Sequence, residues 1–385
     1  MMKKVLRFLG SYKLSVVLLF FLMAIVFFGT LAQTEHGIYE IQKRYFESVF
    51  VVHWIANKIP LPLPGGGLLM VCLLINLFIG GVLLAPKSIK RPGMLIAHLG
   101  VILLILGGFW GKLWGDYGQI SLFEGESKKE FEDTKNWEIY IWKLAKENNT
   151  PTMEWIIPQK DFAHLRGAMR RTFYSQELPF EITLMRFMKN AMPRLAIPGV
   201  EQGIQGVLLE AVELEKDEEL NLAGIYVEVA ANEQHHLGIL WGGEVQPWVF
   251  EIGKELYATG IRHRRIELPF TIKLEKFIKE FYPGTNKPRF FASEVVYFTG
   301  DWEQRIVIRM NEPLRYKGFT IYQASWGTAT GVQSSPVFST LAVTSNPAEQ
   351  IPLYSCVIIS LGLLIHFAQK LNRYLKHKRE AGEIK

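Results

Sequence analysis

Apolar residues along this chain concentrate in long runs that no charged residue interrupts. Such runs, free of Asp, Glu, Lys and Arg, cover residues 14–32, 67–85, 94–111 and 353–369. Each run has 17 to 19 residues, and a helix needs about 17–25 to cross a hydrocarbon core of about 30 Å. The pattern therefore predicts four transmembrane helices. We expect the first to be an uncleaved anchor rather than a signal peptide, because it is long for one and further spans follow.

Between the third and fourth runs the pattern changes to short stretches in which apolar and polar residues alternate. These stretches are separated by Gly, Pro and Asn, and examples are FEITLMRF, IYVEVA, ELYATGI, FTIKLEKF and QRIVIRM. Alternation with a period of two is typical of strands with one buried face, and many such strands indicate a sandwich or a barrel. We therefore predict a large β-rich, sandwich-like domain over residues 112–350.

Two segments of this β-rich region are similar to each other. Residues 177–187 and 267–277 both begin with ELPF and agree at seven of their eleven positions. A duplicated β unit would explain the similarity. The alternative is chance, because short strand patterns recur often.

Basic residues predict how the helices are oriented. The segments 1–13, 86–93 and 370–385 hold 13 of the 43 Lys and Arg residues and, as acids, only Glu380 and Glu383. The positive-inside rule places such segments in the cytoplasm. Both termini are then cytoplasmic, and the β-rich domain is extracytoplasmic.

This orientation gives the predicted domain organisation. Residues 1–111 form a membrane region with three transmembrane helices, and residues 351–385 form the fourth helix and a basic cytoplasmic tail. The excess positive charge lies at helix ends, where it meets anionic lipid. We therefore expect a lipid membrane as a partner and no nucleic acid.

The cysteines and the known motifs exclude several functions. Cys72 and Cys356 are the only cysteines, and neither belongs to a C-x-x-C pair. A thiol oxidoreductase and covalent haem attachment through C-x-x-C-H are therefore excluded. The sequence contains no P-loop, H-E-x-x-H, G-x-S-x-G or dinucleotide-binding motif. We predict no catalytic residue.

Two histidines within the apolar runs are the candidate cofactor ligands. His98 is the fifth residue of the third run. His366 lies near the end of the fourth run, four residues before Lys370. Because these two helices cross in opposite directions, the imidazoles are expected at a similar depth in the bilayer. Two neutral imidazoles are what a six-coordinate haem iron requires as axial ligands. Alternatively, His98 is a hydrogen-bonded packing residue and His366 a hydrated interfacial residue.

Other histidines and aromatic residues have simpler interpretations. Four histidines outside the apolar runs could contact a haem or lie on a solvated surface: His36, His53, His235 and His236. Trp110 lies at the end of the third run, Trp114 and Tyr117 follow it, and we expect the three to form an interfacial aromatic belt.

Three motifs carry a resemblance to a known family. They are LGSYKLSVVLLFFLMAIVFFGTLAQ at the start, AHLGVILLILGG in the third run and, most specific, MNEPLRYKGFTIYQASW near the end of the β-rich region. With them the sequence resembles the ResB-like (CcsB) membrane proteins of system II cytochrome c biogenesis.

The resemblance implies a subunit of the cytochrome c synthase complex in the bacterial inner (cytoplasmic) membrane. Such a subunit handles haem and supports its attachment to apocytochrome c. The third-span histidine of the family, matched by His98, is regarded as an axial ligand of a b-type, non-covalent haem. The other ligand is expected on a CcsA (ResC) subunit, which carries a WWD motif that this chain lacks.

The resemblance leaves the role of His366 open, because the family does not require a ligand there. An accessory, haem-handling subunit is the preferred interpretation, with the bond-forming chemistry completed by the partner. Two alternatives remain. One is a membrane redox subunit that holds haem b between His98 and His366, and the other is a haem-free scaffold.

Overall fold

The computed structural model describes residues 1–55, 58–84, 92–144, 153–201, 203–231, 234–285, 288–300, 302–328 and 335–381. The chain divides into two compact units. A helical unit comprises Met1–Gly115 and Asn346–Lys385, and a β unit comprises Asp116–Ser345.

The described part of the helical unit contains six α-helices and one β-hairpin. The helices are α1 (Met2–Leu9), α2 (Tyr12–Ala32), α3 (Ile38–Ile41), α4 (Gly66–Phe78), α5 (Pro92–Trp114) and α6 (Ile351–Glu380). Short π-helical segments continue α3 and α4, and they are Gln42–Phe46 and Ile79–Leu83. The hairpin strands are β1 (Phe50–Ile55) and β2 (Ile59–Pro64).

Four of these helical segments are long and apolar enough to cross a membrane: α2, α4 with its π-helical continuation, α5 and α6. Together with the β unit they confirm the predicted fold class, a membrane protein with four transmembrane helices and a large β-rich domain. Most of the predicted basic loop 86–93 lies outside the described residues, and so do Lys385 and Glu383 at the end of the chain.

Helices α5 and α6 pack closely and antiparallel along a row of small residues on α5. A Cβ atom at Gly93 would lie 2.5 Å from the carbonyl oxygen of Gly362, and one at Gly107 would overlap the side chain of Ile351. Small residues let transmembrane helices approach each other in this way. The beginning of α5 therefore lies beside the part of α6 that carries His366.

A buried amide fixes the beginning of α2 against α4. The side chain of Asn76 donates a 2.6 Å hydrogen bond to the Leu9 carbonyl and accepts a 2.7 Å hydrogen bond from the Ser15 hydroxyl. A buried polar group within a helical bundle needs such partners. Nearby, a Cβ atom at Gly80 would lie 2.5 Å from the Gly10 carbonyl oxygen, so the π-helical end of α4 also packs closely at this point.

The β unit contains sixteen strands within the described residues. They are β3 (Asp116–Phe123), β4 (Ser127–Lys143), β5 (Glu154–Pro158), β6 (Arg170–Phe173), β7 (Glu181–Met188), β8 (Ala191–Leu195), β9 (Val207–Ala211), β10 (Gly224–Ala231), β11 (Gln234–Trp241), β12 (Trp248–Ile252), β13 (Glu255–Phe281), β14 (Pro288–Thr299), β15 (Trp302–Arg309), β16 (Leu314–Tyr316), β17 (Phe319–Thr328) and β18 (Val337–Ser345).

These strands pair antiparallel in two main sheets and one hairpin. The smaller sheet has the order β11-β10-β7-β6, and β8 pairs with β9. The ten-stranded sheet has the order β15-β14-β13-β4-β3-β18-β17-β16, with β5 added to β4 and β12 added to β13.

Two hydrophobic cores share the long strands β4 and β13. The first core lies between the four-stranded sheet and one end of the larger sheet, and includes Ile139, Leu184 and Ile225. The second is enclosed by the rest of the ten-stranded sheet and includes Phe270 and Ile321. The first core is thus the interior of a β-sandwich.

The similar segments 177–187 and 267–277 occupy matching places in the two cores. The buried residues of the first segment are Phe180, Ile182, Leu184 and Phe187. The corresponding residues of the second are Phe270, Ile272, Leu274 and Phe277, and they are buried as well. In its sheet, each segment lies next to two further antiparallel strands, β10 and β11 in one case and β14 and β15 in the other. This correspondence favours the duplicated β unit over chance.

Candidate functional site

Helices α5 and α6 line an open apolar cavity of about 420 Å³. Its lining consists of Met94, Ala97, His98 and Val101 from α5 and Ile359, Leu363, His366 and Phe367 from α6. The antiparallel packing at Gly93 and Gly362 places the beginning of α5 at the level of the second half of α6. The structure therefore brings both predicted site residues to one cavity.

The imidazole of His98 is oriented by a backbone group. Its Nδ1 lies 3.3 Å from the carbonyl oxygen of Gly81, in the π-helical segment that continues α4. A carbonyl can only accept a hydrogen bond, so in the neutral ring Nδ1 carries the proton and Nε2 keeps a free lone pair. A Cβ atom at Gly81 would lie 2.6 Å from Nδ1, so the close approach depends on glycine.

The imidazole of His366 has a different environment. Its ring lines the same cavity, but its Nδ1 is buried and has no hydrogen-bond partner among the described residues. Its backbone nitrogen would lie 2.5 Å from a Cβ atom placed at Gly93. The helix position of His366 is thus fixed by packing, whereas no neighbour in the described chain fixes its tautomer.

The donor set of this cavity limits the metals it could hold. Within the described residues there is no group of three or more His, Cys, Asp or Glu side chains arranged to bind a metal ion. A structural zinc site needs four ligands. Two imidazoles with apolar walls instead suit a planar cofactor whose metal already has its equatorial ligands and needs only axial ones.

A second, basic cavity of about 320 Å³ adjoins the first and shares Met94 and His366 with it. Its other lining residues are Lys370 and Arg373. In the sequence these two cations indicate only the orientation of the helix. Their spacing of four and seven residues from His366 places all three on one helix face. This spacing was the signal in the sequence from which the basic cavity could have been predicted.

His36 and His53 lie together in a cleft of about 300 Å³ that Arg44, Tyr45 and Trp54 also line. The Nδ1 of His53 is 2.6 Å from the Tyr45 hydroxyl. Burial of the ring and, second, the positive charge of Arg44 lower the pKa of His53. His36 lies 3.8 Å from the Glu40 carboxylate. These imidazoles therefore already have polar partners.

The remaining sequence candidates lie elsewhere. His235 and His236 are both in β11, and the Nδ1 of His235 is 3.0 Å from a carboxylate oxygen of Glu228. Trp110 and Trp114 are exposed at the end of α5, with ring centroids 6.2 Å apart, as in an interfacial aromatic belt.

The most specific motif forms the β16–β17 hairpin. Lys317 and Gly318 make its two-residue turn with φ angles of 47° and 82°, which is the pattern of a type I′ turn. The buried amide of Gln323 accepts a 2.6 Å hydrogen bond from the Ser293 hydroxyl and donates a 2.9 Å hydrogen bond to that of Ser339. This motif therefore stabilises the second core of the β unit.

A profile of the ResB-like family matches residues 235–339, which include this hairpin. The protein NrfI of Wolinella succinogenes is 21% identical over 293 residues, which are 75% of this chain and 28% of NrfI. The cytochrome c biogenesis protein CcsB of Picosynechococcus sp. is 33% identical over 88 residues, 22% of this chain and 18% of that protein. A CcsB protein of Microcystis aeruginosa is 28% identical over 107 residues, 28% of this chain and 22% of that protein.

The chain thus spans less than a third of the length of each of these relatives. The family profile and the relatives agree with the motifs in the sequence, and the predicted resemblance to the ResB-like (CcsB) family is confirmed.

Proposed function

We propose that this chain takes part in cytochrome c biogenesis as a membrane subunit that holds haem in the open cavity lined by α5 and α6. The relatives named for cytochrome c biogenesis support the process. The observation that carries the haem-handling role is that His98 and His366 line one apolar cavity.

In this proposal His98 and His366 would hold the haem, and the apolar side chains of the cavity would surround it. His98 donates its Nδ1 proton to the Gly81 carbonyl and presents Nε2 as the ligand. Such a hydrogen bond fixes the ring and makes its free nitrogen more basic. His366 is the candidate for the second imidazole ligand. Haem would supply the iron that the two imidazoles bind.

We also propose where the subunit works and with what partners. It resides in the bacterial inner membrane with both termini in the cytoplasm and the β unit outside, in agreement with the basic segments 1–13 and 370–385. The chain has no WWD run and no C-x-x-C pair. We therefore assign haem attachment in this system II complex to a CcsA (ResC) subunit, with apocytochrome c as the substrate.

One observation also favours a second function, that of a haem b redox subunit. Both candidate ligands come from the same chain and line the same cavity, so the chain could bind a low-spin haem without a partner. Such a subunit would exchange electrons with quinol at a defined potential. It would not be required for cytochrome c maturation.

The test is the absorption spectrum of the purified chain. We expect a low-spin haem in the wild type, and in His98→Ala either loss of haem or conversion to a high-spin spectrum that added imidazole reverses. His53→Ala serves as the matched control and should keep the wild-type spectrum, because His53 lies in a different cleft. An unchanged spectrum and full cytochrome c maturation in His98→Ala would contradict the proposal.

His366→Ala then identifies the second ligand. If His366 is the opposite ligand, this variant should resemble His98→Ala in the chain expressed alone. If a partner supplies the ligand, haem should appear only on co-expression with a CcsA-type protein and should survive His366→Ala.

A further inference from the structure

The cavity between α5 and α6 is apolar along most of its lining and basic at one edge. The apolar cavity and the adjoining basic cavity share Met94 and His366. On α6, His366, Lys370 and Arg373 follow one another at helical spacing, and the helix rises about 10 Å from the first to the last. A ligand held at His366 therefore has two cations along its edge.

These two cations have no acidic partner among the described residues. In that part of the chain, Arg373 Nε donates a 3.2 Å hydrogen bond to the Gln369 carbonyl one turn earlier. By contrast, Lys376 lies 3.9 Å from the Glu380 carboxylate on the same helix. Lys370 and Arg373 therefore keep ammonium and guanidinium donors for another acceptor.

A ligand that fits both cavities is apolar over most of its surface and acidic along one edge. Apolar walls and imidazoles suit a flat, metal-centred ring, and the cations suit acidic groups on one edge of that ring. A carboxylate that enters an apolar site loses hydration, and a positioned cation offsets this cost by a charge-assisted hydrogen bond.

From this arrangement we infer that Lys370 and Arg373 bind the carboxylates of the ring held between His98 and His366. The inference rests on the proposed function and extends it. It states that the edge of the ring that bears the carboxylates faces the part of α6 that follows His366. An anionic lipid headgroup carries a similar charge and could also contact these cations. The experiment must therefore separate the two anions.

The test compares ferric protoporphyrin IX with its dimethyl ester, which has the same ring and iron but no carboxylate charge. Both are titrated into the full chain in neutral detergent, and binding is followed by the Soret absorbance. We expect the wild type to bind the diacid about tenfold more tightly than the diester, the order expected for two charge-assisted contacts at an exposed site.

The double variant Lys370→Gln/Arg373→Gln should bind both compounds with the affinity that the wild type shows for the diester. It should keep the low-spin spectrum, because the imidazoles are unchanged. The matched control is Lys376→Gln/Lys378→Gln, which removes the same charge from the same helix and should keep the preference for the diacid.

A preference for the diacid that survives in the Lys370→Gln/Arg373→Gln variant would overturn the inference. So would equal binding of the two compounds by the wild type, although that result leaves the proposed function intact. If anionic vesicles bind the wild type better than the double variant while both keep the diacid preference, the cations serve lipid and the inference is wrong. Failure of a folded wild type to bind either compound, both alone and together with a CcsA-type protein, would instead remove the proposed function itself.

Discussion

Two cavities in the described part of the helical unit are lined by pairs of histidines, and the two pairs differ in their neighbours. The neighbours of His53 include polar groups, with the Tyr45 hydroxyl at 2.6 Å from Nδ1 and Arg44 in the same cleft, besides the Phe28 ring. Around His98 the other lining residues are apolar, apart from His366, and the Nδ1 atom contacts a backbone carbonyl.

Neighbours, rather than the number of imidazoles, therefore distinguish a candidate ligand site. A tyrosine hydroxyl can donate as well as accept, so it leaves the tautomer of His53 open. A carbonyl can only accept, so it holds His98 with a free Nε2. The apolar side chains of the α5/α6 cavity also offer no hydrogen-bond donor to Nε2 of His98. This nitrogen therefore stays available to a metal, and an apolar surrounding of this kind limits the access of solvent to a metal site.

The largest effect should follow from separating α5 and α6. In Gly93→Ala the new Cβ atom would lie 2.5 Å from two backbone atoms, the Gly362 oxygen and the His366 nitrogen. Backbone cannot rotate away, so the helices must move apart, at a cost of about 1–3 kcal/mol for an overpacked site. We expect loss of bound haem and lower thermal stability, measured by haem content and circular dichroism.

The same helix offers a matched control for this change. A Cβ atom at Gly108 would have no atom of the described chain within 4 Å beyond its own helical turn, so Gly108→Ala should bind haem like the wild type. Wild-type haem binding by Gly93→Ala would show that the cavity does not depend on the close packing of these helices.

A smaller effect is expected when only the orientation of His98 changes. In Gly81→Ala the methyl group would lie 2.6 Å from His98 Nδ1, but an imidazole can rotate whereas a helix backbone cannot. We expect haem affinity to fall about tenfold, the lower end for loss of an orienting contact to a ligand, with a mixed-spin spectrum. Gly81→Ala with unchanged affinity and spectrum would mean that the contact with the Gly81 carbonyl does not orient the ligand.

The sequence predicted the membrane helices well because their requirement is simple. Apolar runs of sufficient length identify them, and the positions of His98 and His366 within their runs indicate a similar depth. The end of α6 was less predictable. The apolar run stops at residue 369, but the helix continues to Glu380, since lysine and arginine are good helix formers in water.

The contacts that orient the site were not predictable from local pattern. The Gly81 carbonyl reaches His98 only because α4 ends in a π-helical segment packed against α5, and the backbones of α5 and α6 come into contact where Gly93 meets Gly362. These contacts join residues far apart in the chain. Periodicity describes the faces of single helices, so it cannot identify which faces meet.

The β unit shows the same limit in another form. Alternation located its strands, but ELYATGI and FTIKLEKF were separate predictions, whereas the structure joins them in the 27-residue strand β13. Pro269 lies between them and lacks an amide proton. The register of β13 against β4 is interrupted between Glu267 and Ile272, so no ladder hydrogen bond is required of the proline.

The smallest expected effect concerns the polar cleft and tests whether the two cavities are independent. Burial and then the charge of Arg44 lower the pKa of His53 below its ordinary value of 6.5. As the pH falls through that value, the unfolded chain therefore binds a proton before the folded chain does. The contribution of His53 to stability is thus complete above pH 6.5 and declines at lower pH.

Arg44→Gln should raise the pKa of His53 and so reduce this loss of stability in acid, whereas Arg44→Lys retains the charge and should resemble the wild type. The measurements are the titration of the His53 ring by NMR and thermal unfolding at about pH 8 and about pH 5, on either side of the titration of an ordinary histidine. Neither change should alter the haem spectrum, because Arg44 does not line the α5/α6 cavity. A spectral change in Arg44→Gln that Arg44→Lys does not show would mean that the two histidine pairs are coupled.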